Sequence, residues 1–184
     1  ILIKILIIFH FIFCSCGMYS LSGSLPSHIK SIAIPLLENQ TAEFGLSEEI
    51  TEGIINKFND AGLLKLVDIE NNASSILKGS INKITDEPYT YNKQESVTEY
   101  RYTIHVKIEW YDVLNEKNII QNTYSGFGAY GISGEIGSDG IDNDKDGKID
   151  DDDDDEFGEP RAFATKVAIS KITEDILNDI MTTW

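Results

Sequence analysis

The sequence predicts an α+β fold: a two-layer sandwich in which two helices cover one face of a mainly antiparallel sheet of four to five strands. Three observations carry this expectation. Residues 98–113 alternate apolar and polar side chains over an unusually long run. Residues 46–60 and 161–181 repeat apolar residues at helical spacing. The order is strand, helix, four strands, helix. Two amphipathic helices need an apolar surface to cover, and a sheet with one apolar face supplies it.

The elements follow along the chain. Residues 28–37 (HIKSIAIPLL) read as a first strand. Pro35 restricts one ladder position, so this strand lies at an edge or stops there. Over 46–60, Leu46, Ile50, Ile54 and Phe58 form one stripe, widened by Ile55. Glu48 and Glu49 suit the positive end of that helix, and Gly62 suits its stop. Residues 64–69 and 73–85 are two further strands, the second broken by Glu87-Pro88-Tyr89. In 98–113, Tyr100, Tyr102, Ile104, Val106, Ile108 and Trp110 alternate with Arg101, Thr103, His105, Lys107 and Glu109. Period two at this length is a strand with one buried and one polar face. After a turn at 114–118, residues 119–130 return as its partner. Thr165, Ile169, Ile172, Ile176 and Ile180 mark the stripe of the closing helix.

The formal net charge is −16. Residues 138–159 hold twelve acids and two lysines, so −10 of that charge sits there and −6 is spread over the rest. Nothing offers a basic patch to phosphates along a nucleic acid, which argues against such a partner.

At the N-terminus, Lys4 precedes an apolar run from residue 5 to residue 13. The run is too short to span a bilayer and suits a signal-peptide core. Phe13-Cys14-Ser15-Cys16 then places an apolar residue and two small ones before a cysteine, the pattern of a lipobox. Residues 1–15 are thus expected to be a lipoprotein signal peptide, with Cys16 the lipidated residue. Residues 16–27, rich in Ser and Gly, form a tether, and a single domain spans 28–184 with an insertion at about 131–159. A disulfide between Cys14 and Cys16 is the other reading, but one intervening residue makes its geometry poor. Two or three acyl chains hold a protein stably on a membrane. Gly17 after the cysteine fits an outer-membrane destination.

Catalytic residues are sparse. His28 and His105 sit alone on strands, and no phosphate-cradling glycine motif precedes a helix. The unusual run is D-N-D-K-D-G-K-I-D-D-D-D-D-D-E at 142–156. Asp142, Asp144 and Asp146 fall at positions 1, 3 and 5 of an EF-hand-type loop, and Gly147 falls at the sharp turn. Lys148 offers its carbonyl, Ile149 ties the loop to its surroundings, and Asp150 and Asp153 occupy positions 9 and 12. Such spacing wraps oxygens around one Ca2+. It resembles the single calcium loops of dockerin and thrombospondin type 3 repeats. Position 12 is Asp rather than Glu, and no helix leads in. A self-repelling solvated loop is the alternative. If calcium binds, its role is structural, and no catalytic cofactor is expected.

The segment SGSLPSHIKSIAIPLLENQT after Cys16-Gly17 resembles the lipopolysaccharide-assembly lipoprotein family, LptE. The helix at 46–58, Ile76-Leu-Lys-Gly-Ser-Ile, Glu87-Pro-Tyr, Glu109-Trp-Tyr-Asp and the final helix are similar too. The resemblance implies a non-enzymatic, lipid-anchored protein on the periplasmic leaflet of the outer membrane. It implies a large LptD-like β-barrel translocon subunit as partner, which the protein plugs and helps to assemble, and lipopolysaccharide as cargo. Cations would be needed for lipid A phosphates, and Lys30, Lys83, Arg101 and Lys107 are the candidates. The acidic insertion departs from the family. A free-standing calcium-binding surface lipoprotein with an adhesive or scaffold role is the second reading. A metal-dependent hydrolase is a third, weakened by the lack of an evident base or nucleophile.

Overall fold

A computed structural model of the chain describes residues 25–68, 72–132, 136–153 and 158–183. Its elements are β1 (Ser31–Ala33), β2 (Glu38–Asn39), α1 (Leu46–Ala61), β3 (Lys65–Leu66), β4 (Ser75–Tyr91), β5 (Val97–Asp112), β6 (Lys117–Gly131) and α2 (Pro160–Thr182), with a 3₁₀ turn at Asp150–Asp152 before α2. The architecture is the expected α+β arrangement, with two helices on a mixed sheet of six strands.

The three long strands, β4, β5 and β6, pair antiparallel in chain order. The short strands are parallel. β1 lies between β3 and β4, and β2 adds to the same side of β4 further along. Within the expected first strand, 28–37, only Ser31–Ala33 pairs, and a separate short strand follows at Glu38–Asn39. Proline has no N–H to offer a ladder, and pairing stops before Pro35 and resumes at Glu38. The expected break at Glu87-Pro88-Tyr89 does not occur. β4 runs through Pro88, with register shifts between Pro88 and Thr90 and between Thr90 and Tyr91. Beyond Ile81 no described strand pairs with the other side of β4, and a sheet edge is where proline is tolerated.

Period two decides which face is covered. Tyr102, Ile104, Val106, Ile108 and Trp110 of β5 are buried in one cluster with Ile50, Ile54 and Phe58 of α1 and Ile172 and Ile176 of α2. The stripe of α2 differs from expectation at its start. Ala164 and Ala168 face the sheet, while the hydroxyl of Thr165 donates to the Arg161 carbonyl at 2.9 Å. The reason lies on β6. A Cβ on Gly126 would sit 2.1 Å from the Ala168 carbonyl oxygen, and one on Gly128 would sit 2.2 Å from that of Ala164. Helix and strand backbones touch there, and nothing larger fits.

The sheet has two distinct ends. Glu99 pairs with Gly131 at one and Asp112 with Lys117 at the other, about 43 Å apart at roughly 3.3 Å per residue. The acidic insertion leaves from the first end. The β5–β6 hairpin and the start of the described chain meet at the second. There the Asp112 carboxylate, 1% exposed, lies 2.8 Å from His28 Nε2. It also accepts from Asn115 Nδ2 (2.7 Å) and from the backbone N–H groups of Leu114 (3.0 Å) and Asn115 (3.2 Å). His28, read from sequence as solitary, is thus a partner of Asp112. Burial alone would raise the Asp112 pKa, but the hydrogen bonds from Asn115 and His28 outweigh it and hold the carboxyl at about 2.

Gly128→Val is expected to destabilise the fold by about 3 kcal/mol, because the overpacked site has backbone on its far side. Chemical denaturation followed by circular dichroism checks this, and a loss below about 0.5 kcal/mol would contradict the close contact. The depressed pKa of Asp112 contributes stability that is present above the ordinary carboxylate value and lost as pH falls from about 4 through about 2. The unfolding midpoint of the wild type should therefore drop more steeply across that window than that of Asp112→Asn. Parallel curves would contradict the assignment.

Candidate functional site

Odd-numbered residues of β5 and their neighbours form the face that no helix covers. Cross-strand pairing sets Lys83, His105 and Ser125 in one row, Ser80, Lys107 and Thr123 in the next, and Lys78, Glu109 and Gln121 beyond. The face is polar along most of its length. Three of the four candidate cations lie on it, and Lys107 and Lys83 are in different states. Lys107 Nζ lies 2.6 Å from Glu109 Oε1, and this bond to Lys107 holds the Glu109 carboxyl below its ordinary value. Lys83 is exposed. Lys30 is not on this face. It is exposed beside Ser74, at the end of the sheet that holds the β5–β6 hairpin.

Arg101 differs from the other three. Its guanidinium carbon lies 3.9 Å from the ring centroid of Tyr89 and 4.3 Å from that of Phe127, and the two rings meet edge-on at 6.4 Å. Its Nε is buried with no hydrogen-bond partner among the described residues. Cation–π contact with two rings fixes the orientation of the guanidinium while leaving its Nε–H for another acceptor. Neither ring stood out in the sequence. Tyr89 lay in the expected break, and Phe127 in a strand whose pairing partners were unknown.

The acidic loop docks on the same corner. Lys145, the fourth residue of the loop, lies 4.5 Å over the Tyr89 ring, and its Nζ donates to the Tyr89 hydroxyl at 3.2 Å. Hydrogen bonding to Lys145 and then to Arg101 lowers the Tyr89 pKa. Asp142, Asp144 and Asp146 each offer an oxygen within 4.8 Å of the others. The N–H of Gly147, at φ +99°, donates to Asp142 Oδ2 at 3.0 Å, closing the loop as glycine at this position allows. Asp142 Oδ1 is buried and accepts no hydrogen bond from the described residues.

The carboxylates of Asp150 and Asp153 do not join this group of three. Asp150 Oδ1 accepts from the Gly140 N–H at 2.9 Å. Asp153 is fully buried, after the 3₁₀ turn. Lys148 turns its amine to Asp146 Oδ2 at 3.2 Å, and its N–H donates to Asp146 Oδ1. Ile149, expected to tie the loop down, is 45% exposed. Cys16, the signal peptide and the first part of the tether lie outside the described residues. No described helix is long and apolar enough to cross a membrane.

A second cluster joins the insertion's exit to the sheet. Arg161, in the first turn of α2, reaches Glu43 Oε1 (2.6 Å) and Asp86 Oδ2 (3.0 Å), and Tyr130 donates to Asp86 at 2.7 Å. The Glu43 hydrogen bond raises the Arg161 pKa, and burial followed by the Asp86 contact raises that of Tyr130. Every group in it is matched by an opposite charge or a donor, which suits a clamp rather than a reactive centre.

The family model for lipopolysaccharide assembly, LptE, matches residues 29–183. No curated protein matches the chain. Among solved structures, protein XCC0632 from Xanthomonas campestris is similar at 10% identity and a TM-score of 0.54, covering 83% of this chain and 84% of that one. That likeness shows the fold. The rare lipoprotein B of Shewanella oneidensis gives 11% identity and a TM-score of 0.47, over 82% and 95% of the two chains. The PelC dodecamer of Paraburkholderia phytofirmans gives 15% and 0.49, over 83% and 90%.

Proposed function

The chain belongs to the lipopolysaccharide-assembly family LptE, and we propose that it is the lipid-anchored, non-enzymatic subunit of an outer-membrane lipopolysaccharide translocon. In this reading it sits in the lumen of a large LptD-like β-barrel, helps that barrel to assemble, and contacts lipopolysaccharide in transit. The observation that carries the reading beyond the family is the open face. Three long strands bury one side under α1 and α2 and leave the other polar, and the lumen of a large barrel is polar too.

Arg101 is the cation best suited to an anionic group of the cargo. It is held by Tyr89 and Phe127 with Nε lacking a partner among the described residues, whereas Lys107 is engaged by Glu109. We propose further that Asp142, Asp144 and Asp146 hold one structural Ca2+ that orders the insertion against Tyr89. Three converging carboxylates with one buried, unbonded oxygen are the donor set a hard cation takes.

Affinity capture of the acylated protein from detergent-solubilised outer membranes tests the first proposal. A large β-barrel should be recovered, and recovery should survive calcium chelation if the loop is accessory. Recovery without any barrel would contradict the proposal and favour a free-standing calcium-binding surface lipoprotein. Calorimetric titration tests the second. The wild type should bind Ca2+ at one site, and Asp142→Asn with Asp144→Asn should weaken binding by about tenfold or more. Absence of binding by the wild type would contradict it.

A further inference from the structure

The β5–β6 hairpin ends in an apolar tip. Val113 is 38% exposed and Leu114 70% exposed. The tip is held in shape from below, because the buried Asp112 carboxylate accepts the N–H groups of Leu114 and Asn115, and the Val113 N–H donates to the Ser74 carbonyl. Leu114 is therefore presented outward by a fixed turn.

Three features place this tip beside a lipid surface. First, the N-terminal part of the chain comes to it: His28 bonds both Asp112 and Asn115 of the hairpin. Only residues 17–27 separate His28 from Cys16, so an anchor on Cys16 lies at most about 40 Å away along a fully extended chain. Second, three exposed lysines lie at this end of the sheet. Lys117 pairs with Asp112, the Lys30 N–H donates to Ser74 Oγ, and the Lys65 N–H donates to the Lys30 carbonyl. Glu116 is the acid within the turn. An apolar tip among lysines suits an interface with anionic headgroups. Third, the acidic insertion, which such a surface would repel, leaves the opposite end of the sheet, about 43 Å away.

We propose that the 113–116 hairpin is a second membrane contact, with Leu114 and Val113 entering the headgroup region of the leaflet that holds the anchor. The proposal rests on the reading that Cys16 is acylated. The anchor alone holds one point of the chain at the leaflet, and a second point of contact at the hairpin sets which end of the domain faces the membrane, before or within the barrel.

The test uses the full acylated chain carrying Leu114→Cys, labelled with a solvent-sensitive fluorophore. It is reconstituted in vesicles of phosphatidylethanolamine and phosphatidylglycerol containing a lipid spin-labelled near the headgroup. Lys93→Cys, in the exposed turn at the far end of β5, is the reference. Intact mass reads the acyl chains separately. The expected result is a blue-shifted label at 114, quenched at least about threefold more than the label at 93. Equal quenching at both positions on an acylated protein would overturn the hairpin contact and leave the anchor standing. A blue shift that grows with protein concentration and ignores the lipid quencher would mean a second copy covers the tip, and would also overturn it. An unacylated mass would overturn the anchor reading and the hairpin proposal with it.

Discussion

The contact between α2 and β6 is the constraint on which the rest of the fold depends. Gly126 and Gly128 leave the strand bare where Ala164 and Ala168 bring the helix backbone down onto it. A helix so close cannot roll without losing packing along several turns. Its two ends are tied as well. Arg161 joins Glu43 and Asp86 at the start, and near the end Asp179 accepts from Tyr124 at 2.5 Å and from Asn122 at 2.8 Å. With α2 fixed along β6, α1 closes against it, where a Cβ on Gly53 would sit 3.1 Å from Thr173 Cγ2. The even-numbered side of β5 is then sealed, and the odd-numbered side is left to water or to a partner.

This sidedness gives the molecule two axes. Across the sheet, it separates a core from a polar face that ends in the Arg101, Tyr89 and Phe127 corner. Along the sheet, it separates the end where the N-terminal segment meets the hairpin from the end that carries the acidic insertion. The proposed anchor would hold the first of these ends and leave the polar sheet extending away from it, an arrangement that suits a member of the lipopolysaccharide-assembly family.

Much of the fold was legible because its signals are local. The alternation through Tyr102 to Trp110 and the stripe from Leu46 to Phe58 each report burial directly from spacing. Breaks were less legible. Whether Pro88 ends a strand depends on whether another strand needs an N–H at that position, and that depends on where β1 and β2 pair. The same holds for the site. Asp142, Asp144, Asp146 and Gly147 are close in sequence, and their convergence could be read from spacing. Asp150 and Asp153 are not part of that group, and a 3₁₀ turn begins at Asp150. The Arg101 clamp joins β4, β5 and β6 and becomes visible only with the pairing register. The partnership of His28 with Asp112, 84 residues apart, is likewise invisible along the chain.

The central claim is that the open face meets a β-barrel. The most direct measurement is photo-crosslinking in living cells from a reactive amino acid placed at His105, in the middle row of that face. The account predicts a high-mass product containing a large outer-membrane β-barrel. A product containing only a second copy of this chain, or no product from a correctly localised protein, would contradict it.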